Sequence, residues 1–201
     1  HHVFPVFFSE NQVIIHDDHS DPQTAVGIYE QLLGSEGVAF LFAPYSTLIT
    51  EAVLPLAEKA RCPILIAGAA GDSLWGKGYH YAVGVYTPSS KFGAGFLELL
   101  VQAEIDKLAI VNADDAFSKD LARSMKVLAQ RYGLTVAVSA QFNKDIQELS
   151  DYAQQARTAG AGAVIVCGHF NEAVNMRRAF KRIGWYPRAY YASVGPPSPA
   201  F

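Results

Sequence analysis

Small hydroxyl side chains and glycines stand directly after two apolar runs that predict strands. Ser46 and Thr47 follow the run at residues 38–43, and the glycine-rich segment 68–73 follows the run at residues 63–67. In open parallel sheets, ligands bind outside the carboxyl ends of the strands. Hydroxyl groups and bare backbone N–H groups at helix N-termini favour negative charge. The two segments therefore indicate a site for an anion.

Each of these features also has a simpler interpretation. Ser46 and Thr47 are good helix caps, and glycines between a strand and a helix allow close packing. Phe117 and Phe170 follow two later predicted strands, where they can wall a ligand pocket or fill the core. His169 can contact a ligand or make structural hydrogen bonds. The residue types alone leave these alternatives open.

The glycine patterns do not support nucleotide chemistry. Residues 71–78 spell Gly-x-x-x-x-Gly-Lys, but Gly78 stands where a phosphate-binding loop needs a Ser or Thr to hold magnesium. Residues 93–95 contain only a fragment of the dinucleotide-binding pattern and follow no predicted strand. The sequence therefore predicts neither a nucleotide cofactor nor any other cofactor.

An acidic pair, Asp114 and Asp115, follows another predicted strand. The pair resembles the acidic pair of a phospho-receiver, but the acceptor aspartate and the lysine of that site are missing from the later strand ends. A helix-capping pair is the better interpretation, because carboxylates are stabilised at helix N-termini. A hydrolase is a weaker alternative, in which Ser46, His169 and Asp115 would form a Ser-His-Asp set without a Gly-x-Ser-x-Gly motif.

Composition excludes several classes of partner. The 201 residues carry 16 basic and 19 acidic side chains, for a net charge of −3, so there is no broad basic field for nucleic acid. Half of the residues are hydrophobic, and no apolar run approaches the ~18 residues of a membrane span. Cys62 and Cys167 have no CxxC or metal-ligand spacing, so we expect buried free thiols and no metal site. No signal-peptide pattern is visible in the chain.

Strand-like and helix-like segments alternate regularly along the chain. We predict strands at residues 13–16, 38–43, 63–67, 81–85, 108–112, 135–140, 163–167 and 189–192. We predict helices at residues 21–34, 46–60, 92–102, 118–133, 146–159 and 171–183, with a kink at Pro55 and a cap at Ser118.

This alternation predicts an α/β fold with parallel sheets covered by helices on both faces. A break at residues 86–90 interrupts the pattern, which then restarts. We therefore predict two α/β lobes, one within residues 1–87 and the other within residues 88–201, with a hinge near residues 86–88.

Read together, the loops resemble a known family, the type I periplasmic binding proteins, in the branch of the branched-chain amino acid receptors of ABC importers. The stretches that carry the resemblance are Ala43-Pro44-Tyr45-Ser46-Thr47, Ala113-Asp114-Asp115-Ala116-Phe117-Ser118 and Gly168-His169-Phe170-Asn171-Glu172, with residues 17–25, 74–79 and 193–196. The resemblance implies two doubly wound, Rossmann-like lobes that close on a small ligand and present it to a membrane permease. It also implies a periplasmic or extracellular protein that binds without catalysing a reaction.

The same resemblance implies site residues from both lobes. Ser46, next to Tyr45, would bind a ligand carboxylate together with the backbone of Ala69, Ala70 and Gly71. From the second lobe, Phe117 stands where the family often has a tyrosine, and His169 and Phe170 stand where aromatic residues face the ligand.

Two departures from the family pattern matter for the ligand. The chain is short for the family, so each lobe is expected to lack elements. No Asp or Glu follows Glu172, although amino-acid receptors commonly hold the ligand's ammonium group with an acid near residues 195–197. Either that acid lies outside this sequence, or the ligand is another small carboxylate. A ligand-sensing ectodomain or regulator of the same fold is the main alternative to an importer receptor.

Overall fold

The computed structural model describes residues 13–196 and residue 199, which contain two parallel sheets in succession along the chain. The elements of the first part are α1 (Pro22–Leu33), β1 (Leu41–Phe42), α2 (Thr47–Ala60), β2 (Ile64–Ile66) and β3 (Ala82–Gly84). The strands pair in the order β1-β2-β3, all parallel. Short 3-10 helices lie at Asp72–Lys77 and Ser89–Lys91.

The second part alternates helices and strands without a break. Its elements are α3 (Ala94–Gln102), β4 (Lys107–Ala113), α4 (Ala116–Arg131), β5 (Thr135–Phe142), α5 (Ser150–Thr158), β6 (Ala163–Cys167), α6 (Phe170–Arg182) and β7 (Ala189–Ala192). The strands pair in the order β5-β4-β6-β7, again all parallel. The predicted α/β architecture is confirmed.

The second sheet is covered on both faces, as predicted. Successive residues of β4 enter different clusters, because side chains alternate across a strand. Leu108 and Ile110 pack with Leu121 of α4, whereas Ala109 and Val111 pack with Phe180 of α6 on the opposite face. This double burial explains why residues 108–111 of β4 and all residues of β6 are apolar.

The first sheet is covered on one face only within the described residues, and here the prediction of two covered faces is wrong. Ile64 and Ile66 pack with α1 and α2, which both contribute to the same cluster. The other face carries a row formed by Phe42, Leu65 and Val83, which are paired in register. Phe42 is 60% exposed and Val83 is 53% exposed, because α1 and α2 share the same side of the sheet.

One predicted element is absent from the structure, and several others differ in their bounds. Residues 13–16 form no strand, because no strand of the described residues pairs with them and the backbone groups have no ladder to join. The helix predicted from residue 146 begins at Ser150. Ile146 donates instead to the Asn143 carbonyl in a turn, and the Glu148 carboxylate accepts the Ser150 N–H at 2.8 Å.

Helix α4 is capped by Asp115, so the predicted cap at Ser118 is wrong. The two oxygens of Asp115 accept the Ser118 N–H at 3.0 Å and the Ser118 hydroxyl at 2.6 Å. Ser118 supplies the donors of the cap, and the residue three positions earlier supplies the acceptors. The helix-capping interpretation of the acidic pair is thus confirmed for Asp115. Helix α2 continues through Pro55 to Ala60.

Asp72 joins the segment that follows β2 to the segment that enters the second part of the chain. Its carboxylate accepts the Ser89 hydroxyl at 2.6 Å, the Ser90 N–H at 2.6 Å and the Ser90 hydroxyl at 2.7 Å. Burial raises the pKa of Asp72, but these hydrogen bonds outweigh burial and hold it below its usual value. The Ser73 N–H also donates to Asp120 of α4 at 3.3 Å. The proposed lobe boundary at residues 87 and 88 lies within this junction, and hinge motion there stays a prediction.

Both cysteines are free and buried, as the sequence predicts. Cys62 is 7% exposed, and Cys167, the last residue of β6, is fully buried. Among the helices of residues 13–196, none is long and apolar enough to cross a membrane.

Gly93 at the start of α3 gives a direct test of the packing. Its φ of 73° favours glycine, and an added Cβ would lie 1.8 Å from Cε of Met125. Gly93→Ala should therefore lower the free energy of unfolding by about 2 kcal/mol or more, measured by urea denaturation.

Gly95 in the same helix provides the matched control. An added Cβ there meets no atom within 4 Å, so Gly95→Ala should raise stability by about 0.5–1 kcal/mol. Equal unfolding midpoints for the two variants would contradict the packing described around Gly93.

Candidate functional site

A cavity of about 200 Å³ lies beyond the carboxyl ends of strands from both sheets. The loops that follow the strands supply its walls, as expected for parallel sheets. The lining residues are Tyr45, Ser46, Thr47, Leu48, Gly68, Ala70, Tyr86, Phe92, Asp115, Phe117, Lys144, His169, Ser193 and Val194.

The N-terminus of α2 forms the wall on the side of the first sheet. Ser46 caps the helix, and its hydroxyl oxygen accepts the Ile49 N–H at 3.4 Å. Thr47 and Leu48 are the first two residues of the helix, so their N–H groups have no acceptor within it. Ser46 also has φ of 81° and ψ of 149°, a conformation that costs non-glycine residues on the order of 1–3 kcal/mol. Such strain is commonly retained at binding sites.

The loop after β2 supports this wall and contributes less to the surface of the cavity than predicted. The Gly71 N–H donates to Oγ1 of Thr47 at 3.0 Å, so it is not available to a ligand. An added Cβ at Gly71 would lie 2.4 Å from Cγ2 of Thr47. Ala70 lines the cavity, whereas Ala69 and Gly71 do not. The role of Gly71 in this arrangement is to position Thr47.

Four rings in series form the aromatic wall of the cavity. Tyr86 and Phe92 have ring centroids 6.2 Å apart, and Phe92 and Phe117 are also 6.2 Å apart. Phe117 and His169 follow at 5.5 Å. We call Tyr86, Phe92, Phe117 and His169 the aromatic row. Contacts between ring edges and faces at these distances are favourable, so the row presents an ordered apolar surface.

An ion pair ends this row on the side of the second sheet. Nε2 of His169 lies 3.6 Å from Oδ1 of Asp115. The Asp115 carboxylate raises the pKa of His169 above its usual value, against the opposite effect of burial. For Asp115, burial alone would raise the pKa. The His169 imidazole and the hydrogen bonds from Ser118 have a larger combined effect and lower the pKa to about 2. Asp115 is therefore ionised at neutral pH.

The hydrolase alternative receives only partial geometric support. Ser46, His169 and Asp115 do line the same cavity. However, no hydrogen bond joins Ser46 to His169 in the described part of the chain, and a Ser-His-Asp triad requires that contact. No group of three His, Cys, Asp or Glu side chains suited to a metal ion occurs among the described residues.

Five of the eight predicted site residues line the cavity, namely Tyr45, Ser46, Ala70, Phe117 and His169. Ala69, Gly71 and Phe170 do not. Lys144 was missed because β5 was predicted to end at residue 140, whereas it extends to Phe142, and the loop after it was not considered as a strand end. Asp115 also lines the cavity, and its position in the loop after β4 could have indicated this.

Comparisons with known relatives show similarity along nearly the whole chain. The chain is 22% identical over 195 residues to "Leu/Ile/Val-binding protein homolog 8" of Brucella abortus, covering 92% of this chain and 48% of the relative. For "Leu/Ile/Val-binding protein homolog 7" of the same organism the identity is 21%, with 92% and 49% covered. The chain spans about half the length of the curated relatives it matches.

Solved structures share the fold at low sequence identity. A solute-binding protein of an ABC transporter from Rhodopseudomonas palustris, in complex with 3,4-dihydroxybenzoic acid, has a TM-score of 0.75 at 20% identity, covering 86% of this chain and 47% of that one. An ABC transporter substrate-binding protein from Desulfitobacterium hafniense, in complex with Leu, has a TM-score of 0.79 at 13% identity, covering 90% and 54%.

The resemblance seen in the loops is confirmed by a family model as well. The model described as "Periplasmic binding protein" matches residues 11–197, which include all strands of both sheets and all residues that line the cavity. On this evidence the chain belongs to the periplasmic binding protein family.

Proposed function

We propose that this chain captures a small carboxylate solute in the cavity between its two sheets, as the receptor of an ABC importer. The observation that carries the proposal is the convergence on one cavity of free helix N–H groups, a hydroxyl and an aromatic row. Binding sites of this kind combine a mostly apolar wall with a few polar groups that orient the ligand.

The first contact is a carboxylate at the N-terminus of α2. The N–H groups of Thr47 and Leu48 precede the helical hydrogen-bond pattern, and the hydroxyl of Ser46 stands beside them at the cavity wall. A helix N-terminus stabilises an anion through its N–H groups and its dipole. This arrangement replaces the originally predicted contact with the Gly71 N–H, which Thr47 already accepts.

The second contact is an apolar ligand body against the aromatic row. The cavity of about 200 Å³ lies below the usual range of about 300–1,000 Å³ for ligand pockets, which favours a small ligand. Among structural relatives, two from Rhodopseudomonas palustris are complexes with 3,4-dihydroxybenzoic acid and 4-hydroxybenzoate, and one from Desulfitobacterium hafniense is a complex with Leu. An aromatic carboxylate suits the row of rings in this chain.

The charges in the cavity favour a carboxylate without an ammonium group. Asp115 is the carboxylate among the described lining residues, and Ser118 and His169 already occupy its oxygens. A buried ammonium group without a counter-charge is costly. We therefore place benzoate-like acids ahead of α-amino acids as ligands. Membership in the family further supports a periplasmic location and a membrane permease as the partner of the closed, ligand-bound state.

Removal of the Ser46 hydroxyl tests the carboxylate contact. Ser46→Ala should weaken the binding of benzoate about tenfold, because a hydrogen bond to a charged oxygen contributes about 1.5 kcal/mol. Isothermal titration calorimetry of the 201-residue chain measures this change. Ser139 is exposed on β5, so Ser139→Ala serves as the control. Equal affinities in Ser46→Ala and wild type, or tighter binding of leucine than of 4-methylpentanoate, would count against the proposed site.

The affinity for benzoate should also depend on pH through His169. Protonated His169 attracts the ligand anion, and its pKa is raised by Asp115 and by Glu172 and lowered by burial and by Lys144. Affinity should therefore fall roughly fivefold, or about 1 kcal/mol, as the pH rises above 6.5 and through the raised pKa of His169. The ligand stays ionised because a carboxyl pKa lies at about 4.

Calorimetry at about pH 6 and about pH 8.5 measures this dependence. His169→Gln should abolish it, while His80→Gln should preserve it, since His80 is exposed and paired with Glu58 in the first part of the chain. An unchanged pH dependence in His169→Gln would assign it to another group.

A further inference from the structure

Lys144 is an exposed cation that forms no ion pair with the described residues of the chain. It follows β5 and lines the cavity, and its backbone N–H donates to Oδ1 of Asp114 at 3.1 Å. That bond ties the loop to the end of β4. Across residues 13–196, no carboxylate oxygen lies within 4.0 Å of the Lys144 ammonium group.

Asp115, the carboxylate among the described residues of the cavity lining, is already engaged. Asp115 accepts two hydrogen bonds from Ser118, at 3.0 and 2.6 Å, and lies 3.6 Å from the His169 imidazole. The hydroxyl of Ser193 is also occupied, because it donates to the Gly168 carbonyl at 2.6 Å and accepts the Gly168 N–H at 3.0 Å. Asp115 and Ser193 are thus engaged with other groups, and neither is bonded to the Lys144 ammonium group in the described residues.

An ammonium group that loses water without gaining an anion is strongly disfavoured. Closure of the cavity on a ligand removes water from its walls, so Lys144 needs an acceptor that the ligand must bring. The first carboxylate of the ligand is bound by the N-terminus of α2, which packs on the first sheet. Lys144 follows β5 of the second sheet. A second group on the ligand can supply that acceptor.

We propose that Lys144 is a specificity-determining residue that binds a second carboxylate, so that the preferred ligands of this chain are small dicarboxylates. This inference rests on the proposed function and refines it. A dianion contacts a loop of each sheet, Ser46 after β1 and Lys144 after β5, and its apolar middle lies against the aromatic row. A ligand with an ammonium group at that end meets a like charge.

Two matched pairs of probes test this assignment by calorimetry of the 201-residue chain. Benzene-1,4-dicarboxylate is compared with benzoate, and glutarate is compared with pentanoate, which has the same number of carbon atoms. In at least one pair the dicarboxylate should bind about tenfold more tightly, since a charge-assisted hydrogen bond contributes about 1.5 kcal/mol. Lys144→Met should remove this gain, so that the two members of each pair bind the variant with equal affinity.

Two further variants separate the charge from the fold. Lys144→Arg should retain the gain, because the positive charge is kept. Lys119→Met, which removes an exposed lysine of α4 outside the cavity lining, should leave both affinities unchanged.

Three results would overturn the assignment. The first is equal binding of the two members in both pairs, and the second is a gain that persists in Lys144→Met. In either case the carboxylate site of the proposed function would stand, and a gain for 4-hydroxybenzoate over benzoate would point to a hydroxyl at that end. The third is no binding of any probe, which would reject the proposed function together with this inference.

Discussion

The hydrogen bonds of Asp72 determine how the two sheets share one cavity. A single carboxylate accepts three donors from Ser89 and Ser90, at the place where the chain passes from the first sheet to the second. Hydrogen bonds to charged groups are worth more than neutral ones, and this group is partly buried, where water competes less. These bonds fix the segment after β2 against the segment that leads into the second part of the chain, and the loops that line the cavity lie on both sides of this junction.

The groups that end the helices are also the groups that face the cavity. Ser46 caps α2, Asp115 caps α4 and His169 precedes α6. A parallel sheet requires each strand to be followed by a helix that begins near the same edge, so every helix start needs an acceptor there. The need for caps therefore concentrates polar groups at one edge before any ligand is involved. Under the proposed function, a ligand would use the hydrogen-bonding capacity that capping leaves over.

The fold was predictable from local signals, because apolar runs and helix ends are encoded within short segments. Asp21-Pro22 and Gly34 delimit α1 as predicted, and β6 and β7 have the predicted bounds. Residues 13–16 misled the prediction because a strand depends on its neighbours, which an isolated run of Val and Ile does not reveal. The cap of α4 was misplaced by three residues because Asp115 and Ser118 both suit a cap, and only the backbone decides which one accepts.

The site was predictable in part, for a related reason. Strand ends were recognisable, so Ser46, Phe117 and His169 could be placed near one edge. The use of individual donors depends on long-range contacts, as the bond from Gly71 to Thr47 across 24 positions shows. Lys144 was missed because the loop after β5 was not considered among the strand ends.

Cys167 offers a way to follow the motion of this cavity in time. Its fully buried thiol ends β6, two residues before His169, and burial raises its pKa. Alkylating reagents react with the thiolate, so Cys167 does not react with them while the strand end stays packed. Modification of Cys167 therefore requires local opening of this strand end. The rate of labelling therefore reports on the opening of this strand end, and under the proposed function a bound ligand is expected to slow it.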